Sequence, residues 1–231
     1  MLQVTALEAL YDKSQVLFGL DFSAVPGEIL AVLGRNGSGR STLAKALMGL
    51  VQTRGAVRWK GHALHKMQPF ERAHAGLGYV AESRDVFPSL TVHQNLLLGQ
   101  KRRTSPGRWP LDILYEMFPQ LQARRTTPAG VLSGGEQQML ALCRTLAGDP
   151  DLLIVDEPTE GLAPMLVEQV AACLRTLRAQ GCTVILMEQK LTLALDLADR
   201  CLVLGHGRVV LDGTPAALQA NAAVRREWLE V

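Results

Sequence analysis

Aromatic side chains are scarce in this chain, 5% of 231 residues. A surface that stacks successive nucleic-acid bases needs repeated aromatic platforms, so that class is disfavoured. Net charge is nearly absent: 24 Lys and Arg stand against 22 Asp and Glu, leaving +2. That balance argues against a nucleic-acid binder working through bulk positive charge. No apolar run reaches the roughly 18 residues needed to cross a bilayer, so any membrane role runs through a partner. Residues 1–11 lack a basic start followed by an apolar stretch, and no export signal is expected. Only four cysteines occur, Cys143, Cys173, Cys182 and Cys201. Each has apolar neighbours and no pair has metal-ligand spacing, which predicts buried, reduced thiols in a cytosolic protein. Internal repeats and low-complexity tracts are missing as well.

What is present is a large apolar fraction, 48%, enough for a substantial core. Apolar runs at 29–33, 152–155 and 183–187 predict strands covered on both faces. Residues 2–7 and 16–22 read as strands of a small sheet, 57–61 as a strand and turn, and 77–80 as another strand. A short helix is expected at 70–75, and amphipathic spacing predicts helices over 165–177 and 191–198. Residues 201–204 and 209–211 read as a hairpin closed by Gly205, His206 and Gly207. Between 82 and 149, Pro88, Pro106, Pro110, Pro119 and Pro128 punctuate short helical pieces such as 92–98 and 111–118. This stretch reads as an inserted helical lobe. The basic cluster Lys101-Arg102-Arg103 within it reads as a solvated loop.

Three motifs carry chemistry. The first is Gly34-Arg35-Asn36-Gly37-Ser38-Gly39-Arg40-Ser41-Thr42, set between a buried strand and a helix. Strand, glycine loop and helix form the context of a phosphate-binding loop. Its backbone N–H groups and the helix dipole would hold phosphate oxygens, and the Ser41 hydroxyl would sit on Mg²⁺. The second is Asp156-Glu157-Pro158, at the carboxyl end of an apolar strand, where sheet ligands bind. Asp156 fits a Mg²⁺-holding role, and Glu157 is placed to direct or deprotonate an attacking water. The third is Ser133-Gly134-Gly135-Glu136, an S-x-x-E capping box. Two glycines in its first turn cost roughly 1 kcal/mol each against alanine, which points to a backbone that must approach an anion closely.

In order and spacing, residues 34–42, 132–139 and 152–158 resemble an ATP-binding-cassette ATPase subunit, and the resemblance spans essentially the whole chain. It implies an α/β P-loop NTPase with a RecA-like core, an N-terminal antiparallel β subdomain and an inserted α-helical subdomain. The chain would be one domain over 1–231, with a nucleotide-binding core at 1–81 and 150–231 and a lobe at 82–149. It further implies a head-to-tail pair of cassettes, with ATP held between the glycine loop of one and Ser133, Gly134, Gly135 and Glu136 of the other. Tyr11 stands where an aromatic residue stacks on adenine, with Val16 on the same wall. Glu82 takes the place of the usual glutamine that links the catalytic core to the helical lobe and is a Mg²⁺ candidate, Gln189 replaces the histidine near the γ-phosphate, and Ala163 replaces an aspartate. Residues 81–88, 160–164 and 187–190 resemble the second ATPase subunit of bacterial branched-chain amino acid importers, with urea and amide importers close by.

That branch implies ATP and Mg²⁺ as cofactors, and a location on the cytoplasmic face of the inner membrane. Its partners would be a second cassette, a homologue rather than a copy, and transmembrane permeases. A periplasmic solute-binding protein would act indirectly, and nucleic acid has no part. Phe87 and Leu90 are candidate docking residues for a permease. A rival reading is a nucleotide-gated partner cassette that hardly hydrolyses ATP, as Arg40 stands where lysine is expected. Intact Glu157 counts against it. Arginine is longer, planar and forked, and does not replace lysine at a tight phosphate site. Losing one well-aimed transition-state donor costs on the order of 10²–10³ in rate. Arg40→Lys is accordingly expected to raise the ATPase rate of the assembled complex, and equal steady-state rates would remove that expectation.

Overall fold

Six strands form the central sheet of the computed structural model, which describes residues 1–101 and 107–229. The chain opens with β1 (Leu2–Tyr11), β2 (Ser14–Ala24), β3 (Ile29–Leu33) and α1 (Arg40–Met48), then β4 (Gln52–Trp59) and β5 (His62–Ala63). Next come α2 (Pro69–His74), β6 (Leu77–Val80) and four helices: α3 (Val92–Gly99), α4 (Leu111–Met117), α5 (Pro119–Ala123) and α6 (Gly134–Ala147). The sheet resumes with β7 (Leu152–Asp156), α7 (Pro164–Ala179), β8 (Thr183–Glu188) and α8 (Leu191–Leu197). It finishes with β9 (Arg200–Gly205), β10 (Arg208–Gly213), α9 (Pro215–Ala220) and α10 (Ala222–Trp228). The central sheet runs β10-β9-β3-β8-β7-β6, parallel apart from the β9–β10 hairpin. A separate antiparallel sheet runs β2-β1-β4-β5.

The period of two along the buried strands sorts their side chains into two cores. Leu30, Val32, Leu152, Ile154, Ile185 and Met187 pack with α1 and the antiparallel sheet. Their neighbours Leu153, Val155, Val184 and Leu186 point the other way, into α6, α7 and the helices between β6 and β7. A third, smaller cluster joins Ala31, Leu33 and Val203 to α8, α9 and α10. Every residue of β3, β7 and β8 is buried, as the unbroken apolar runs require. All four cysteines are free and buried. Burial pushes the Cys173 and Cys182 thiols up to about 12, so neither is a thiolate at neutral pH.

Strand β1 is longer than the 2–7 stretch its sequence suggests. A bulge carries it on: Ala6 has φ 47° and the pairing with β4 slips between Thr5 and Glu8. Opposite the bulge, a Cβ on Gly55 would fall 2.2 Å from the Ala6 carbonyl oxygen, so glycine is needed there. Lys101 is not simply solvated: its Nζ donates to the Ala73 carbonyl at 2.6 Å. Arg102 and Arg103, and with them Pro106, lie outside the described residues.

Helix α1 ends on a buried cation. Arg72 Nη1 donates to the Ala46 and Leu47 carbonyls at 2.9 and 2.8 Å, covering the negative end of the helix behind the glycine loop. Among the helices after β6, Phe118 is fully buried at the α4–α5 junction. Phe118→Ala is expected to lower the unfolding free energy by about 3–5 kcal/mol, read as a shift in the urea midpoint.

Candidate functional site

Parallel register brings four strand ends to one edge. Leu33 pairs with Glu188, Asp156 with Met187, and Val80 with Val155. The glycine loop after β3, Glu157 after β7, Gln189 after β8 and Glu82 after β6 therefore open on the same side. Together with Val16 and Glu160 they line a cleft of about 350 Å³. Glu160 was not anticipated from the sequence.

The loop is held open from below. Gly37 and Gly39 have φ 79° and 105°, and a Cβ on Gly39 would lie 2.7 Å from Leu17 Cδ2 of β2. The Ser38 carbonyl accepts from the Gly207 amide at 3.0 Å, tying the loop to the β9–β10 hairpin. Ser38 Oγ is buried in the loop with no hydrogen-bond partner among the described residues. An orphaned loop hydroxyl at the start of a helix that has no side-chain cap fits an anionic ligand.

Arg40 lines the cleft, but its guanidinium is turned onto protein groups. Its side chain is 6% exposed, and Nη2 forms an ion pair with Glu157 Oε1 at 2.5 Å. Nη2 also lies 3.4 Å from Asn36 Oδ1. Nη1 donates to the Glu188 carbonyl at 3.2 Å and to the Gly34 carbonyl. Glu157 sits in the left-handed region, φ 48°, with its amide donating to the Met187 carbonyl at 3.0 Å. A non-glycine residue held there marks local strain, of a kind concentrated at working sites. Burial raises the Glu157 carboxyl pKa, opposed by Arg40 and by a hydrogen bond from the Gln189 backbone.

Ser41 Oγ donates to Asp156 Oδ1 at 3.2 Å. Burial pushes the Asp156 carboxyl up, and the Ser41 hydrogen bond pulls it back. Ser41, Asp156 and Glu82 line a recess beside the main cleft. These oxygen donors suit Mg²⁺, which takes one or two protein oxygens and completes its shell with phosphates and water. Among the described residues no three His, Cys, Asp or Glu side chains gather into a metal cage of their own.

Three further features were not foreseen from the sequence. Glu188 is fully buried; Oε1 accepts from Thr159 Oγ1 at 3.2 Å and from the Lys190 amide at 3.3 Å, while Oε2 has no partner among the described residues. A single acid closing an otherwise apolar strand was the available signal. Asn95, buried in α3, donates from Nδ2 to the Phe87, Leu90 and Thr91 carbonyls and accepts from the Phe87 amide, bracing the loop before α3. Arg84 and Asp85, just beyond Glu82, both adopt positive φ, 66° and 37°.

Other predicted site residues lie apart from the cleft lining. Tyr11 ends β1 at the turn into β2 and is 41% exposed. Ser133, Gly134, Gly135 and Glu136 begin α6. The capping box is formed: Ser133 Oγ accepts from the Glu136 amide at 3.3 Å, and Glu136 Oε2 accepts from the Ser133 amide at 2.8 Å.

Residues 17–160 match the ABC transporter family model. This chain belongs to the ATP-binding-cassette family. The cassette is 39% identical over 231 residues to the high-affinity branched-chain amino acid transport ATP-binding protein BraG of Pseudomonas aeruginosa, covering 99% of each chain. It is 35% identical to the probable branched-chain amino acid transport ATP-binding protein LivF of Archaeoglobus fulgidus, over 100% of this chain and 97% of that one. A solved ATP-binding subunit of an ABC transporter superposes with TM-score 0.84 at 26% identity, covering 99% of this chain and 96% of the other. The cassette is thus an ATP-binding ABC ATPase with the P-loop NTPase fold, of the kind that dimerises and works with membrane-spanning permeases. No helix among the described residues is long and apolar enough to cross a membrane.

Burial, reinforced by the nearby Glu157 charge, raises the Glu188 pKa from 4.5 to about 7. The native state then keeps a proton that the unfolded chain gives up above 4.5, so stability should fall as pH climbs from 4.5 to 7. Glu188→Gln is expected to flatten that fall, with the residual slope left to Asp156 and Glu157. Urea midpoints at pH 5 and pH 8 would check it.

Proposed function

We propose that this cassette powers a branched-chain amino acid importer, hydrolysing ATP on behalf of separate permease subunits. The observation that carries the reading is the edge-of-sheet cleft, where the glycine loop, Glu82, Asp156, Glu157 and Gln189 converge. Whole-length likeness to BraG supports the substrate class.

The loop from Gly34 to Thr42 holds the phosphates by its amides, with Arg35, Asn36, Gly37, Ser38 and Gly39 shaping the cradle. Tyr11 and Val16 receive the base. Ser41, Asp156 and Glu82 would hold Mg²⁺, which when bound would screen the phosphate charge and the charge that develops on the leaving diphosphate. Glu157 takes the proton of the attacking water, and Gln189 lies beside it to position that water. Ser133 to Glu136 serve the ATP of the partner cassette through the α6 N-terminus, so a site is complete only in the head-to-tail pair. A homologue is the favoured partner, and a periplasmic solute-binding protein acts upstream.

We place the division of labour at the lobe 82–149, which carries motion from the core at 1–81 and 150–231. Phe87 is 49% exposed and Leu98 57% exposed on a groove that Arg144 flanks, its guanidinium 5.1 Å from the Phe87 ring. An apolar rim of this kind suits a permease segment. Arg40 supports a second reading, a partner cassette of a urea or amide importer that binds ATP and turns it over weakly. The two readings separate on one experiment. In vesicles reconstituted with permeases, a second cassette and the solute-binding protein, leucine uptake driven by ATP is expected, and Glu157→Gln should lower turnover about 10²–10³-fold with ATP still bound. Retained ATP with no uptake of leucine but uptake of urea or amides would favour the second.

A further inference from the structure

A P-loop cation ordinarily serves the nucleotide. Here the guanidinium of Arg40 is already committed: it pairs with Glu157 at 2.5 Å, and both side chains are largely buried, 6% and 11% exposed. The partner is the same carboxylate that the proposed mechanism needs as base. The remaining guanidinium contacts are backbone carbonyls of Gly34 and Glu188 and the Asn36 side chain. None of those three is an anion, so Glu157 supplies the only full charge opposite Arg40 among these contacts. Glu157 is meanwhile fixed by a left-handed backbone and by its amide bond to the Met187 carbonyl. Its main chain is therefore held in place whichever group the guanidinium meets.

We propose that Arg40 is a positioning residue that trades partners: without nucleotide it holds Glu157, and an arriving phosphate takes the guanidinium and releases the carboxylate. Loading the site and freeing the base become one event. The trade is possible because a phosphate offers more charge and more acceptor oxygens than a carboxylate, and a guanidinium binds both as a fork. It also has a cost, since each nucleotide that binds must break a buried ion pair. The inference deepens the nucleotide-site reading and rests on it. Lysine at this position is shorter by a bond and has a single ammonium, so it reaches a phosphate in the cradle but holds Glu157 less well.

The test is a binding cycle on the isolated cassette with ADP, which cannot drive hydrolysis. Dissociation constants are measured calorimetrically for the wild type, Glu157→Gln, Arg40→Lys and the double variant, with thermal melting to verify folding. Glu157→Gln should tighten ADP about tenfold when Arg40 is present and by less than about twofold in the R40K background, a coupling typical of residues in direct contact. Equal tightening in both backgrounds would mean simple repulsion between carboxylate and phosphate, and would overturn the trade. No change on Glu157→Gln would overturn it too. Absence of ADP binding in all four folded proteins would sink the nucleotide-site reading itself, an outcome distinct from the other two.

Discussion

Parallel pairing of β3 with β8 and of β7 with β6 and β8 governs this molecule, because it aligns the carboxyl ends of those strands on one edge. Each strand ends in a residue its core cannot absorb: a glycine loop, an aspartate and glutamate, a buried glutamate followed by glutamine. Continuous apolar strands need cover on both faces, and helices and the antiparallel sheet supply it. With both faces closed, the edge is where polar groups can meet a ligand. The cleft is thus a consequence of how the core is covered, not a feature added to it.

Charge in and beneath that cleft is arranged tightly. Asp156, Glu157 and Glu188 lie within a few residues of one another across β7 and β8, and burial raises the pKa of each. Three neighbouring carboxyl groups repel, and one buried guanidinium is set among them. Arg40 pairs with Glu157 through its side chain and touches Glu188 only through the backbone carbonyl. Glu188, fully buried and facing the Glu157 charge, is raised to about 7 despite the opposing pull of Lys190 and Thr159. The contrast between two glutamates on neighbouring strands comes first from the deeper burial of Glu188 and the Glu157 charge beside it, and then from Arg40, which lowers only Glu157.

The elements around this site differ in how they are held. The glycine loop is tied to the hairpin at Gly207 and backed by the Arg72 cap on α1. The path out through Glu82 is less regular, with two successive left-handed residues, yet Asn95 and Arg144 grip the backbone on either side of Val86. A rigid cradle beside a braced but strained connection is a suitable pairing where binding at one place is to shift another.

Much of this was readable from residue order. The apolar runs of β3, β7 and β8, the hairpin at Gly205 to Gly207, the capping box at Ser133 and the glycine loop all rest on local rules of period, turn chemistry and capping. Such rules act over a few residues, so they survive without knowledge of the rest of the chain. The bulge at Ala6, opposite Gly55, could not be read, because it depends on register between two strands. The same holds for Glu188 and Asn95, whose polarity is explained only by partners brought near by folding. By itself the sequence determined the strands, the loop and the presence of a cation at position 40. Tertiary structure alone decided what that cation touches, because Arg40 and Glu157 are 117 positions apart and meet only across the parallel sheet.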